Sequence, residues 1–140
     1  NTTRLSALKE WIENDRAVYA ECGGFMYLTK GINSLEDTYY SLVGAFPVTA
    51  SMQKTRASLG YREVETLAPC CFGPQGTVLR GHEFHYSKID RMPEIIDRIY
   101  QVNNGTHEGY AYRKVLGGYM HLHFGFAPQV AAEFIKYCRE

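Results

Sequence analysis

Cys22 and its neighbours are the first place in the sequence where covalent chemistry could occur. The apolar run Ala17-Val18-Tyr19-Ala20 predicts a buried strand, and Phe25-Met26-Tyr27-Leu28 predicts one or two turns of helix. Between them, Glu21-Cys22-Gly23-Gly24 would form the sharp turn of a nucleophile elbow, where small residues suit a tightly bent backbone. A helix beginning at the thiol should lower its pKa, and the Gly23 N–H would face an oxyanion. A buried structural cysteine beside a Gly-Gly turn is the alternative.

A pair of histidines supplies the second candidate group. In His121-Leu122-His123 the two imidazoles share one face of a strand. If this strand and Cys22 meet at the same edge of an α/β sheet, either ring could take the thiol proton and later protonate a leaving amine. Two hydrogen-bonded structural histidines are the alternative. His-x-His can also chelate zinc, but the chain offers no obvious third and fourth ligands, so we expect no metal.

The segment Gly81-His82-Glu83-Phe84-His85-Tyr86-Ser87 is unusually polar for a strand. Its alternation predicts His82, Phe84 and Tyr86 on one face, with Glu83 and His85 on the other. Such a strand could line a polar ligand site. An edge strand with one wet face is the alternative.

Composition excludes several partners. The 140 residues include 15 Lys plus Arg and 15 Asp plus Glu, so no net field would gather nucleic acid or draw the chain to an anionic membrane. No apolar run approaches the ~20 residues that span a bilayer, and no secretory leader is recognisable. Four cysteines without a CxxC pair are typical of a reduced, cytoplasmic protein.

The pattern along the chain predicts helices at both ends and strands between them. Leu5, Leu8 and Ile12 predict a helix between Thr3 and Asn14, and Pro128 begins a last helix whose apolar stripe is Val130, Phe134, Ile135 and Cys138. Further strands are predicted at 40–46, 48–52, 59–64, 78–87, 99–102, 109–112 and 115–124. This order predicts an α/β domain with strands added in the middle.

Four segments together resemble one family, the cobyrinic acid a,c-diamide synthases. They are residues 17–28 around Cys22, Leu59-Gly60-Tyr61-Arg62-Glu63-Val64, residues 81–87, and Tyr119-Met120-His121-Leu122-His123-Phe124. Their order and spacing match as well, and the resemblance runs over nearly the whole chain. Four blocks in order are far more specific than any one of them.

The resemblance implies a flavodoxin-like class I glutamine amidotransferase domain over residues 1–140, with extra β-strands in its middle. Such a domain hydrolyses glutamine and passes ammonia to an N-terminal synthetase domain, where ATP and Mg²⁺ bind. That domain amidates the a and c carboxylates of cobyrinic acid in cobalamin biosynthesis. Hydrogenobyrinic acid and nickel-sirohydrochlorin are alternative acceptors. A binding module without activity, another thiol hydrolase on the same fold, and a homodimer also stay open.

The resemblance also assigns roles to residues. Cys22 matches the nucleophile and His121 the catalytic base. Gly23 and Gly24 belong to the oxyanion side of the site. Glu83 and His85 would line the glutamine end, and His123 takes a supporting role. Class I triads usually carry a glutamate two residues after the histidine, at the position of His123, so the third member of the triad is absent or supplied elsewhere.

Two further departures from the family concern the N-terminal part. Ala20 stands where class I enzymes usually have glycine. Only 21 residues precede Cys22, so we expect the domain's first strand, its Gly-rich oxyanion loop and the synthetase domain to lie outside this chain. There is no Gly-x-x-x-x-Gly-Lys-(Ser/Thr) phosphate loop, so we expect no ATP site.

Overall fold

The computed structural model describes residues 2–103 and 105–139. In this part of the chain the helices are α1 (Thr2–Glu13), α2 (Gly23–Tyr27) and α3 (Pro128–Tyr137), and a 3-10 helix spans Phe124–Phe126. The strands are β1 (Val18–Glu21), β2 (Thr29–Asn33), β3 (Tyr39–Ser41), β4 (Phe46–Met52), β5 (Ser58–Thr66), β6 (Val78–His85), β7 (Ser87–Ile89), β8 (Asp97–Val102), β9 (His107–Tyr112), β10 (Val115–Gly118) and β11 (Met120–Leu122).

The larger sheet carries the candidate residues. Its seven strands run in the order β1-β10-β9-β8-β5-β6-β11. The first pair is parallel and every other pair is antiparallel. Only Tyr119 separates β10 from β11, although β10 is second and β11 last in this order. The sheet must therefore curl, which brings β11 back towards β1.

The smaller sheet, in the order β3-β2-β4-β7, covers the other side of the elbow. Strand β2, parallel to β4, was not predicted. The predicted strand at 40–46 is wrong beyond its first residues, because Gly44 turns the chain with φ of 75° and donates its N–H to the Thr29 carbonyl. The predicted helix after Cys22 is confirmed but ends at Tyr27, short of Gly31.

Two apolar clusters hold these layers together. One lies between the curled sheet and α3, and includes Val64, Leu79, Tyr100 and Val130. The other joins α1 and α2 to the smaller sheet through Ile12, Phe25 and Phe46. Both terminal helices are confirmed. Of the predicted stripe on α3, however, Ile135 and Cys138 are exposed. None of the described helices is long and apolar enough to cross a membrane.

The predicted last strand at 115–124 is wrong as a single strand. Glu108, on β9, accepts hydrogen bonds from the Tyr119 and Met120 N–H groups through Oε1. These two N–H groups therefore leave the β10 ladder, and the chain crosses to β6. Gly118 permits this arrangement, because a Cβ there would overlap the Glu108 carboxylate.

Candidate active site

Cys22 sits at a strained turn between β1 and α2. Its backbone has φ of 47° and ψ of −106°, a conformation that costs a non-glycine residue of order 1–3 kcal/mol. The turn is held by the Cys22 N–H on the Gly118 carbonyl (2.8 Å) and the Met26 N–H on the Cys22 carbonyl (2.9 Å). The strain thus falls on the cysteine rather than on its glycines.

Space beside the thiol is open on the side of Gly23. A Cβ at Gly23 would meet nothing within 4 Å, and one at Gly24 would lie 3.5 Å from the Ala20 Cβ, an ordinary contact. The expectation that the bend itself requires small residues here is therefore wrong. What Gly23 leaves is open space at the first residue of α2, directly after the cysteine.

The Cys22 thiol lies against β6. Its Sγ donates a hydrogen bond to the Phe84 carbonyl at 3.7 Å. Burial raises the pKa of this thiol, and the charges of Glu21 and Glu108 raise it further, whereas the Gly23 N–H lowers it. The expected net lowering by the helix terminus is therefore wrong: α2 has only five residues, and desolvation outweighs it. A thiol of this kind needs a base to become a nucleophile.

His121 lies on β11, directly opposite His82 of β6. The two rings stack in parallel, with centroids 4.6 Å apart and an interplanar angle of 5°. The His121 Nδ1 lies 3.3 Å from the His82 carbonyl oxygen. This contact orients the ring so that Nδ1 carries the proton as donor and Nε2 is left as the basic nitrogen.

The structure brings the elbow and the β11 strand together, but the thiol's hydrogen-bond partner is Phe84 and the ring's is His82. Phe84 lies two residues from His82 on β6, so both groups rest on the same strand. Glu21, next to Cys22, accepts the Leu122 N–H, next to His121.

Glu83 and His85 form a closed polar network on the other face of β6. His85 Nε2 lies 3.0 Å from Glu83 Oε1, and Arg62 Nε donates to Glu83 Oε2 at 3.2 Å. His85 Nδ1 contacts the Ser87 carbonyl, and its ring stacks on Tyr119 at 3.8 Å. The hydrogen bond from His85 lowers the pKa of Glu83. The predicted alternation is confirmed, with His82 and Phe84 of β6 exposed and His85 buried. The predicted single strand at 78–87 is wrong, because β6 ends at His85 and Ser87 begins β7 of the smaller sheet.

His123 lies just after β11, where its N–H continues the pairing with β6 by donating to the Arg80 carbonyl at 2.8 Å. The side chain is exposed, and its ring covers Gly125, where a Cβ would come within 3.0 Å. His123 therefore stands at the start of the 3-10 helix, and its predicted supporting role stays a prediction.

Several residues that support this site gave little signal in the sequence. Glu21 and Glu108 anchor the N–H groups of β11, and Gly81 lets that strand approach β6, since a Cβ there would overlap the His121 carbonyl. Only the position of Glu21 beside the cysteine could have drawn notice. Within the described part of the chain, no group of three or more His, Cys, Asp or Glu side chains could hold a metal ion.

Comparison with known protein families shows which family this chain belongs to. Residues 1–128 match the family described as the CobB/CobQ-like glutamine amidotransferase domain. The chain belongs to this family. It is 40% identical to the cobyrinate a,c-diamide synthase of Syntrophotalea carbinolica over 99% of its length, and 33% identical to that of Leptospira interrogans serovar copenhageni over 99%. It spans about a third, 32%, of the length of both relatives.

Solved structures agree on the fold. A protein solved as a glutamine amidotransferase superposes with a TM-score of 0.61 at 14% identity, covering 97% of this chain and 68% of that one. A glutamine amidotransferase from Thermotoga maritima gives 0.54 at 15% identity, covering 99% and 53%. The predicted α/β fold of the flavodoxin-like class I amidotransferase type is therefore confirmed.

Proposed function

We propose that this chain hydrolyses glutamine to glutamate and ammonia, with Cys22 as nucleophile and His121 as base. The observation that carries the proposal is the strained turn at Cys22, which presents a thiol between open space at Gly23 and the strands that hold His121. Membership of the amidotransferase domain family supports glutamine as the substrate.

The chemistry is acyl transfer. His121 Nε2 takes the proton of the Cys22 thiol, and the sulfur attacks the side-chain amide carbon of glutamine. The Gly23 N–H stabilises the oxyanion, an interaction typically worth about 2.7–4 kcal/mol of barrier per donor. Collapse of the intermediate releases ammonia, which leaves with the proton held by His121. Water, deprotonated by His121, then hydrolyses the γ-glutamyl thioester and restores the thiol.

The raised pKa of Cys22 suits this order of events. A thiolate formed in advance would need no base, whereas a thiol kept protonated by burial reacts only when substrate brings the ring and the sulfur together. The nucleophile would thus be protected from other electrophiles until glutamine occupies the site.

Released ammonia would serve an amidation. Relatives named cobyrinate a,c-diamide synthase support the a and c carboxylates of cobyrinate as acceptors, in cobalamin biosynthesis. The synthetase that activates these carboxylates with ATP and Mg²⁺ would be the partner of this domain. Transfer of ¹⁵N from amide-labelled glutamine into the tetrapyrrole would test the acceptor, with hydrogenobyrinic acid and nickel-sirohydrochlorin as comparison substrates.

The decisive test of the glutaminase is labelling with 6-diazo-5-oxo-norleucine, a glutamine-like electrophile, followed by peptide mass spectrometry. We expect one adduct, on Cys22, that excess glutamine prevents and excess asparagine does not. An adduct that glutamine does not block, or no adduct on folded protein, would leave the chain as an amidotransferase-like module without glutaminase activity.

A further inference from the structure

We propose that Glu21 is the positioning residue for His121: its carboxylate fixes the strand of the base to the strand of the nucleophile. This inference rests on the proposed glutaminase function. Glu21 is the last residue of β1, directly before Cys22. Its Oε1 accepts the Leu122 N–H at 2.8 Å and the Tyr19 hydroxyl at 2.5 Å.

The position of Leu122 in its strand gives this bond its significance. Strand β11 has only three residues, and alternate N–H groups of a strand point to the same side. The His123 N–H, in step with His121, points to β6, where it meets the Arg80 carbonyl. The Met120 and Leu122 N–H groups therefore point away from β6, to the side where β11 has no neighbour among the described strands.

Carboxylates take the place of that missing strand. Glu108 accepts the Met120 N–H at 3.1 Å, and Glu21 accepts the Leu122 N–H. Leu122 is buried as a residue and its N–H faces no strand, so Glu21 supplies the hydrogen-bond partner that this N–H requires. His121 lies between the two anchored residues, and its ring position depends on both anchors.

Glu21 differs from Glu108 because it joins the two reacting groups. Glu108 comes from β9 and anchors the turn after Gly118, whereas Glu21 shares its backbone with Cys22. The Glu21 side chain therefore links the elbow directly to β11, beside the backbone link from the Cys22 N–H to Gly118. The Tyr19 hydroxyl restrains the same oxygen from the other side, which keeps the carboxylate aimed at Leu122.

The test compares Glu21→Met with Glu21→Gln. Methionine keeps the length and packing of the side chain but removes the acceptor, while glutamine keeps an acceptor oxygen and removes the charge. We expect E21M to lower kcat for glutamine hydrolysis by on the order of 10- to 100-fold, since small misplacements of a catalytic group have effects of this size. KM should stay within about 3-fold, and E21Q should retain kcat within about 3-fold.

The matched control is Glu63→Met. Glu63 is a carboxylate of the same sheet whose partner is Arg80, at 2.9 Å on the surface, so kcat should not change. Amide hydrogen exchange gives a readout besides activity: the Leu122 amide should exchange faster in E21M and stay protected in E21Q and E63M.

Three results would overturn the Glu21 role. One is an E21M variant that keeps the kcat of the E63M control. Faster exchange of the Leu122 amide without a fall in kcat would then mean that the Glu21 contact is only structural. Another is an E21Q variant as slow as E21M, which would assign the effect to charge. The third is a fall of kcat/KM in E21M that comes from a raised KM with kcat unchanged, because such a result would indicate lost substrate binding rather than a misplaced base. E21Q keeps the test decisive if E21M does not fold. Labelling of wild-type Cys22 separates the two hypotheses, because its absence would remove the glutaminase itself, and the Glu21 role with it.

Discussion

Cys22 and Cys70 are half-buried thiols in two turns, and the structure shifts their pKa values in opposite directions. Burial and two glutamates raise the pKa of Cys22. At Cys70 the Cys71 thiol donates a hydrogen bond and the Phe72 N–H lies 3.4 Å from Sγ, which lowers the pKa to about 7. The more acidic thiol is therefore the one that lies away from the candidate site.

This contrast shows that acidity alone does not identify a nucleophile. Cys70 lies in a tight turn closed by reciprocal hydrogen bonds with Gly73, 2.9 and 3.0 Å long. Among the described residues around that turn, nothing combines an imidazole, a free N–H and open volume. Cys22 has a less reactive sulfur, but it lies on the elbow next to the open space at Gly23, and its neighbour Glu21 binds the strand that carries His121. Cys22 would therefore react only when a bound substrate and a base activate its thiol, whereas Cys70 would react only with simple electrophiles.

The largest expected effect comes from replacing each sulfur in turn. Cys22→Ser should lower kcat for glutamine hydrolysis by on the order of 10³-fold or more, because the thioester can no longer form. Cys70→Ser should leave kcat within about 2-fold. Glutamate release by both folded variants measures this difference. An active C22S variant, or an inactive C70S variant, would reverse the assignment of the two thiols.

The second comparison concerns the bases. His121→Ala should lower kcat by about 10²-fold or more, the usual contribution of general acid–base catalysis. His123→Ala should change it by only a few-fold, since this ring covers Gly125 at the surface. Steady-state kinetics of the two variants decides between them. A harmless His121→Ala beside a damaging His123→Ala would mean that the wrong histidine is named as base.

Local spacing predicted the turn at Cys22 and the alternation of β6, whereas the roles of Cys22 and His121 come from the family resemblance and stay predictions. The histidine pair on one strand was only half right, because β11 ends at Leu122, before His123. The turn between Gly118 and Met120 did not follow, because it depends on Glu108 of the preceding strand, whose burial only the folded sheet reveals. The same holds for β2 and for the pKa of Cys22, which is set by desolvation rather than by the short helix behind it.

Substitution of two glycines compares an effect on the candidate site with an effect on the stability of the fold alone. Gly81→Ala would push a Cβ into the His121 carbonyl, so we expect a cost of about 1–3 kcal/mol and a fall in kcat of about tenfold. Gly76, in the Cys70 loop, has open space but φ of 82°, so Gly76→Ala should cost about 1–2 kcal/mol and leave kcat unchanged. Denaturant unfolding and glutaminase kinetics on the same samples give both quantities. Equal losses of kcat would show that β6–β11 pairing has no special bearing on catalysis.

The smallest expected effect is a difference in alkylation by iodoacetamide, followed by peptide mass spectrometry across pH. Because its pKa is lowered, Cys70 carries a larger thiolate fraction at pH 7 than an ordinary thiol, and its rate should level off at a lower pH. Cys22, with its pKa raised, is almost wholly protonated at pH 7, and its rate should still be rising where an ordinary thiol near 8.5 has levelled. At pH 7 Cys70 should therefore react several-fold faster than Cys22. The difference is only several-fold because the lower nucleophilicity of an acidic thiol offsets part of its larger thiolate fraction.

At the same pH, 6-diazo-5-oxo-norleucine should label Cys22 and not Cys70. If one thiol dominated with both reagents, intrinsic acidity rather than the surrounding site would govern reactivity in this protein.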